Sequence, residues 1–151
     1  MKRCLFPGSF DPITIGHVAI VKRALKLFDE VVIGIGSNSS KSYLFTKVQR
    51  ENFIKQSFSD HEKVEVLHYE KLTVDFCKSI EAGFIIRGLR NTTDFEFESA
   101  IAQMNAALCT EIETIFISCS PEHSAISSTI IRDIIRNGGN AAAFLPFKLS
   151  V

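Results

Sequence analysis

Short apolar runs alternate with stretches of helical period along the whole chain. Lys2–Phe6 is an apolar run halted at Pro7-Gly8 and predicts a first strand. From His17 to Phe28 the apolar residues fall at 18, 20, 21, 24, 25 and 28, the spacing of an amphipathic helix. Val31–Ile35 predicts a second, buried strand, and Gly36–Lys41 a polar loop. Thr46-x-x-Gln49 reads as a capping box that opens a helix to about Phe58. Val64–Leu67 predicts a third strand, Val74–Glu81 a short helix ended by Gly83, and Phe84–Ile86 a fourth strand stopped by Arg87-Gly88. Thr93-x-x-Glu96 reads as a second capping box, opening a long helix to about Leu108. Thr114–Ser118 predicts a fifth strand. Ser127 or Ser128 caps a helix through Arg136, with Gly138-Gly139 as its stop. The tail, Ala141–Val151, has room for one helical turn at most.

Five apolar strands alternating with helices predict an open parallel sheet covered on both faces. In such sheets ligands bind beyond the carboxyl ends of the strands, where the strand order reverses. The residues just after each strand are therefore the candidates for chemistry.

Composition narrows the class. The chain has 151 residues, 46% apolar and 23% charged, which suits one globular domain. Lys+Arg and Asp+Glu are 17 each, so no global basic field exists to grip nucleic acid, and any anion site is a local cluster. Cys4, Cys77, Cys109 and Cys119 are widely spaced and form no C-x-x-C, so reduced thiols in a cytoplasmic protein are expected. The N-terminal apolar run is too short for a signal peptide, and no stretch has the length of a membrane span.

After the first strand comes Pro7-Gly8-Ser9-Phe10-Asp11-Pro12-Ile13-Thr14-Ile15-Gly16-His17. The glycines and prolines make a tight turn that lets a ligand approach the backbone. His17 falls in the first turn of a helix, where free amides and the dipole favour phosphate. After the second strand, Ser37–Ser42 is small and polar with one cation, Lys41. Gly34-x-Gly36-x-x-Ser39 imitates a dinucleotide fingerprint but lacks its third glycine and its following helix, and no P-loop motif is present. After the fourth strand, Arg87-Gly88-Leu89-Arg90 offers two guanidinium groups suited to a polyphosphate. After the fifth, Ser120–Thr129 brings Ser127, Ser128 and Thr129 to another helix start, although one cap needs one hydroxyl. Cations and helix starts without a carboxylate pair, a Cys–His pair or a metal cluster point to transfer of a phosphorus centre.

These residues resemble a known family. Gly8-Ser9-Phe10-Asp11-Pro12 followed by Gly16-His17 is similar to the [T/H]-x-G-H signature of the nucleotidyltransferase superfamily, and Ile126-Ser127-Ser128-Thr129 is similar to its second signature. With Lys41, Arg87-Gly88-Leu89-Arg90 and Asp94-Phe95-Glu96-Phe97-Glu98, the set resembles the bacterial phosphopantetheine adenylyltransferase family from about Arg3 to Pro146. The resemblance implies a Rossmann-like, doubly wound, five-stranded parallel sheet in one nucleotidyltransferase domain over 1–151. It implies adenylyl transfer from ATP to 4′-phosphopantetheine, the penultimate step of coenzyme A synthesis, with dephospho-coenzyme A and pyrophosphate as products. It further implies magnesium held mainly by the ATP phosphates, coenzyme A as a feedback ligand, and a homohexamer built as a dimer of trimers. Carried over by motif, His17 and Lys41 would be catalytic. Ser9, Phe10, His17, Gly88, Leu89, Arg90, Glu98, His123, Ser124, Ala125, Ile126, Ser127, Ser128 and Thr129 would bind ATP. Ser9, Lys41, Thr73 and Arg87 would bind phosphopantetheine.

The chain departs from the family pattern in places. Ser9 stands where Thr is commoner and keeps the hydroxyl; Phe6 and Phe97 stand where Tyr is commoner and lose a phenol; Ile15 replaces a polar residue. The chain ends soon after Phe144-Leu145-Pro146, where the family pattern continues into another helix. A nicotinamide mononucleotide adenylyltransferase, a polyol-phosphate cytidylyltransferase and a non-catalytic nucleotide sensor remain as alternatives, and a scaffold protein as a remoter one. Phe53, Phe58, Phe76, Phe84 and Phe116 fall on apolar periodicities and are expected in the core.

Overall fold

The computed structural model describes residues 1–150. Within them the chain runs β1 (Arg3–Gly8), α1 (Ile15–Ala24), β2 (Glu30–Gly36), α2 (Lys47–Ser57), β3 (Val64–Tyr69), α3 (Thr73–Ser79), β4 (Phe84–Leu89), α4 (Thr92–Leu108), β5 (Glu113–Ser118) and α5 (Ser128–Arg136). A short 3-10 turn at Pro121–His123 precedes α5, and another at Ala142–Phe144 lies in the tail. Val151, the last residue of the predicted tail, lies outside the described residues. The five strands form one sheet in the order β3-β2-β1-β4-β5, and every pairing is parallel.

Alternation along the strands sorts the core into two layers. Cys4, Phe6, Val31, Ile33, Ile35 and Ile86 face a layer completed by Ile20, Val21 and Ala24 of α1, Phe53 and Ile54 of α2, and Ile131 of α5. Leu5, Val32 and Ile85 face a second layer built on Val74, Phe76 and Cys77 of α3. Gly34 is needed for packing: a Cβ there would sit 2.7 Å from Leu5 Cδ1. Gly36, the second glycine of the dinucleotide-like run, instead lines a cavity at the end of β2. Phe53, Phe58 and Phe76 are buried, whereas Phe84 and Phe116 are partly exposed. All four cysteines are unbridged.

Several boundaries differ from expectation. Thr93 does not cap α4; the Asn91 side chain accepts from the Asp94 amide, so the helix starts two residues earlier and Glu96 closes no capping box. An Asn already one turn ahead of Asp94 wins the role that Thr93 was expected to take. β1 and β4 run on through Pro7-Gly8 and Arg87-Gly88-Leu89, because β2 and β5 continue to pair with them. Arg87 is therefore a strand residue, not a loop residue. Finally, α1 begins at Ile15 because Thr14 caps it, and it ends at Ala24 instead of continuing to Phe28.

The strand order reverses between β1 and β4. Their pairing covers only Cys4↔Phe84 and Leu5↔Ile85, so their carboxyl ends part. The Arg87 side chain spans that parting, its Nη1 donating to the Pro7 carbonyl at 2.6 Å.

Candidate active site

Two cavities open at this rim, of about 330 Å³ and about 370 Å³. They share Pro7, Gly8, Ser9, Arg87 and Glu98 as a common wall. The first cavity is lined by the start of α1, the end of β4 and the start of α5. The second lies under the β2–α2 loop and the start of α3.

The first cavity gathers Ser9, Phe10, His17, Gly88, Arg90, Glu98, His123, Ile126, Ser127, Ser128 and Thr129. Three predicted nucleotide residues fall outside its lining. Leu89 ends β4 and its carbonyl accepts from the Cys119 amide at 2.7 Å; the Ser124 hydroxyl donates to the Pro121 carbonyl; Ala125 lies in the same turn. Local hydrogen bonding holds Ser124 and Ala125 in the turn, while His123 before them and Ile126–Thr129 after them line the cavity. The second cavity gathers all four residues predicted for the acceptor, Ser9, Lys41, Thr73 and Arg87.

His17 is the third residue of α1, and Thr14 and His17 close a reciprocal capping box. The Thr14 amide donates to His17 Nδ1 at 3.0 Å, and the His17 amide donates to Thr14 Oγ1 at 3.3 Å. An amide can only donate, so Nδ1 is the acceptor and the ring hydrogen sits on Nε2. The ring packs edge-on against Phe10 at 5.2 Å between centroids. Burial lowers its pKa from 6.5 to about 4, and the charges of Arg87 and Arg90 push it the same way. The imidazole is thus neutral at pH 7 and offers a hydrogen-bond donor to the cavity, not a cation. The capping expectation for His17 is met through Nδ1, and the same residue lines the first cavity.

The two arginines are held by acidic residues one turn apart on α4. Arg87 Nε and Nη2 donate to the two carboxylate oxygens of Glu98, both at 2.6 Å. Arg90 Nε and Nη2 donate to Asp94 at 3.0 and 3.2 Å, and this ion pair holds the Asp94 carboxyl below its ordinary pKa. Glu98 therefore enters the site as the partner that aims Arg87.

Ser127 is the cap of α5, accepting from the Ile130 amide at 3.2 Å, while the Ser128 hydroxyl donates to the Pro12 carbonyl at 2.8 Å. The latter bond ties the second signature to the first. His123 Nδ1 is buried and has no partner.

Sequence reasoning assigned no role to Asp11, Thr14, Asp94 or Arg132, all of which line the first cavity. Arg132 Nη1 donates to the Asp11 carbonyl at 2.8 Å and its Nη2 to Thr129 Oγ1 at 3.2 Å. The available signal was spacing: Asp94 and Glu98 are four apart on one helix, matching Arg90 and Arg87 in the preceding strand and turn.

A parallel sheet with a reversal at β1/β4, a Gly/Pro turn into a histidine-bearing helix and a hydroxyl-rich second helix start define a cytidylyltransferase-like domain, whose family model matches residues 5–134. Sequence relatives narrow this. The chain is 52% identical over its whole length to a phosphopantetheine adenylyltransferase of Flavobacterium psychrophilum, covering 99% of that protein. It is 48% identical to one of Phocaeicola vulgatus, again over the whole chain and 99% of the relative, and 46% identical over 97% of the chain to one of Lachnoclostridium phytofermentans, covering 90% of it. The chain belongs to the phosphopantetheine adenylyltransferase family.

The fold also matches a crystal structure of a bifunctional NMN adenylyltransferase/ADP ribose pyrophosphatase from Francisella tularensis complexed with AMP and a manganese ion. The TM-score is 0.73 at 17% identity, with 98% of this chain and 45% of that one covered. The chain spans a little under half of that bifunctional protein, and the likeness is one of fold.

Proposed function

We propose that this protein transfers the adenylyl group of ATP to the phosphate of 4′-phosphopantetheine, giving dephospho-coenzyme A and pyrophosphate. The observation that carries this reading is the shared wall. A nucleotide cavity containing His17 and a second cavity containing Lys41 meet at Ser9, Arg87 and Glu98, where two phosphates could face each other.

The acceptor is a phosphate monoester whose second pKa is about 6, so it is mostly dianionic at neutral pH. Its oxygen attacks the α-phosphorus, a new P–O bond forms, and the bond to the β-phosphate's bridging oxygen breaks to release pyrophosphate. No proton has to be removed, which suits a site whose cavity carboxylates are all engaged: Glu98 and Asp94 by arginines, and Asp11 by the Leu44 and Phe45 amides. His17 Nε2–H donates to the α-phosphate as charge grows there. The amide ends of α1 and α5 add their dipoles. Lys41 and Arg87 orient the acceptor phosphate, with Thr73 beside its pantetheine arm. Ser9 faces both substrates, and Arg90 steadies the leaving pyrophosphate.

Magnesium is the metal this reaction would use. Among the described residues no three His, Cys, Asp or Glu side chains cluster as a ligand set. The ion would be carried on the nucleotide's phosphates, where it would neutralise charge, and the roles given to the residues stand without it.

Assembly as a homohexamer of two trimers is supported by α4, which exposes Phe95, Phe97, Ile101, Met104 and Leu108. Coenzyme A, an extended relative of both substrate and product, fits the second cavity as a feedback ligand. We place the reaction in the cytoplasm; no helix among the described residues is long and apolar enough to cross a membrane.

The test is pyrophosphate release in the presence of ATP and magnesium with 4′-phosphopantetheine, nicotinamide mononucleotide or a polyol phosphate as acceptor, repeated with CTP. Release with ATP and 4′-phosphopantetheine alone is expected. Release with another pair, or nucleotide binding without turnover, overturns the assignment.

A further inference from the structure

Asp11 takes no part in the chemistry just described, yet it is a carboxylic acid only 3% exposed. Burying such a group is costly unless it is hydrogen-bonded. Its partners are remote in sequence. Oδ2 accepts from the Leu44 amide at 2.8 Å and Oδ1 from the Phe45 amide at 2.9 Å. These two amides close the loop that carries Lys41, immediately before the Thr46 cap of α2.

The same turn is fastened to the same loop a second time. Arg50, also 3% exposed, donates from Nη1 to the Ser9 carbonyl at 2.7 Å, and its guanidinium lies 4.1 Å from the centre of the Tyr43 ring. The Tyr43 hydroxyl accepts from the Asn38 amide at 3.1 Å, and the Lys41 amide donates to the Asn38 carbonyl at 3.1 Å. Lys41 itself is exposed, on a flexible stem. On the other side, Arg132 of α5 holds the Asp11 carbonyl. The Ser9–Asp11 turn is therefore pinned from the nucleotide side by α5 and reaches out through a carboxylate to the acceptor side.

We propose that Asp11 is a positioning residue for adenylyl transfer: by holding the Leu44 and Phe45 amides, its carboxylate fixes where the Lys41 loop stands relative to the Ser9–Asp11 turn that lines the nucleotide cavity. This rests on the reading of Lys41 as the residue that orients the acceptor phosphate. Displacing a positioning group by about 1 Å costs on the order of a hundredfold in rate, so a latch between the two half-sites has a function that packing alone does not supply.

The experiment is a double-mutant cycle on the full chain. Wild type, Asp11→Asn, Lys41→Ala and the double variant are compared by pyrophosphate release, with each substrate varied in turn. Asp11→Asn keeps the side chain's size but turns an NH₂ towards one of the two amides. It is expected to lower kcat roughly ten- to a hundredfold, to change the KM for ATP less than about twofold, and to add less than about twofold when Lys41 is already alanine. Effects that multiply in the double variant, or a KM for ATP that rises as far as kcat falls, overturn the proposal. Full activity in Lys41→Ala overturns the reading of Lys41 on which it rests and is seen in that single variant. Should Asp11→Asn fail to fold, amide hydrogen exchange on the wild-type chain decides. The Leu44 and Phe45 amides are expected to exchange more slowly than those of Ser42 and Tyr43, and slower still with a non-hydrolysable ATP analogue alone. Exchange at the neighbours' rate, unmoved by the analogue, overturns the latch.

Discussion

The Thr14 backbone amide donates to His17 Nδ1 at 3.0 Å, which leaves the ring's hydrogen on Nε2 and fixes the orientation of the imidazole in one stroke. One side chain thereby closes a helix cap and lines the first cavity. The capping box draws on Nδ1, the cavity on Nε2, and neither use competes with the other.

This arrangement makes a prediction about pH. His17 is held at about 4 by burial and then by the charges of Arg87 and Arg90, against 6.5 in an open chain. Its titration leaves no inflection in kcat between about pH 6 and about pH 8, and nitrogen NMR finds a neutral ring protonated at Nε2. For stability the sign follows from the lowered pKa. As pH falls through 6.5 the unfolded chain takes up the proton first, so stability is lost progressively towards pH 4 and regained above 6.5. Urea melts of wild type and His17→Gln at both ends of that window check this: the variant is expected to lose less stability on acidification.

His17→Ala removes the donor. We expect kcat to fall roughly 10²–10³-fold, about 3–4 kcal/mol at the barrier, by analogy with the loss of one oxyanion-hole donor. The dissociation constant for ATP, measured by titration calorimetry, changes far less. A weakened ATP affinity with kcat unchanged would give His17 a ground-state role only.

Glu98 holds Arg87 through two bonds of 2.6 Å, and their side chains are 11% and 28% exposed. Glu98→Ala leaves the guanidinium tethered only by the Pro7 carbonyl. The expected cost is about 2 kcal/mol of stability by thermal or urea melts, with a KM for the phosphate-bearing acceptor raised more than that for ATP. An unchanged acceptor KM in a folded variant would remove Arg87 from the acceptor site.

Gly34→Ala tests the core independently of the site. The added methyl meets Leu5 Cδ1 at 2.7 Å and the Tyr69 and Phe76 rings at 3.1 and 3.3 Å. Overpacking of this kind costs about 1–3 kcal/mol, seen as a lowered Tm. Nucleotide binding at 25 °C is expected to persist, because none of Leu5, Tyr69 and Phe76 lines the first cavity.

Much of the site was legible along the chain because its signals are local. Glycines and prolines at the end of β1, hydroxyls at the start of α5 and arginines at the end of β4 mark the places where a parallel sheet presents backbone and charge to a ligand. Glu98 shows where that legibility stops. Motif resemblance placed it at the nucleotide, and it does line the first cavity, but its bidentate hold on Arg87 was not foreseen. The partnership spans eleven residues and requires Arg87 to lie on a strand that runs further than its Gly88 suggests. The Asn91 cap was likewise passed over, since Asn, Thr and Thr in a row all cap helices and only the strand's end decides among them.

The order of strands and helices, the rim at which they bind, and the residue types available there were settled by periodicity and turn chemistry, which act over a few neighbouring residues and need no knowledge of the fold. The charge state of His17, the pairing of each arginine and the bond from Asp11 to a loop 33 residues away were settled only when distant segments met. Burial and hydrogen bonding are properties of an environment, and the chain acquires that environment only by folding.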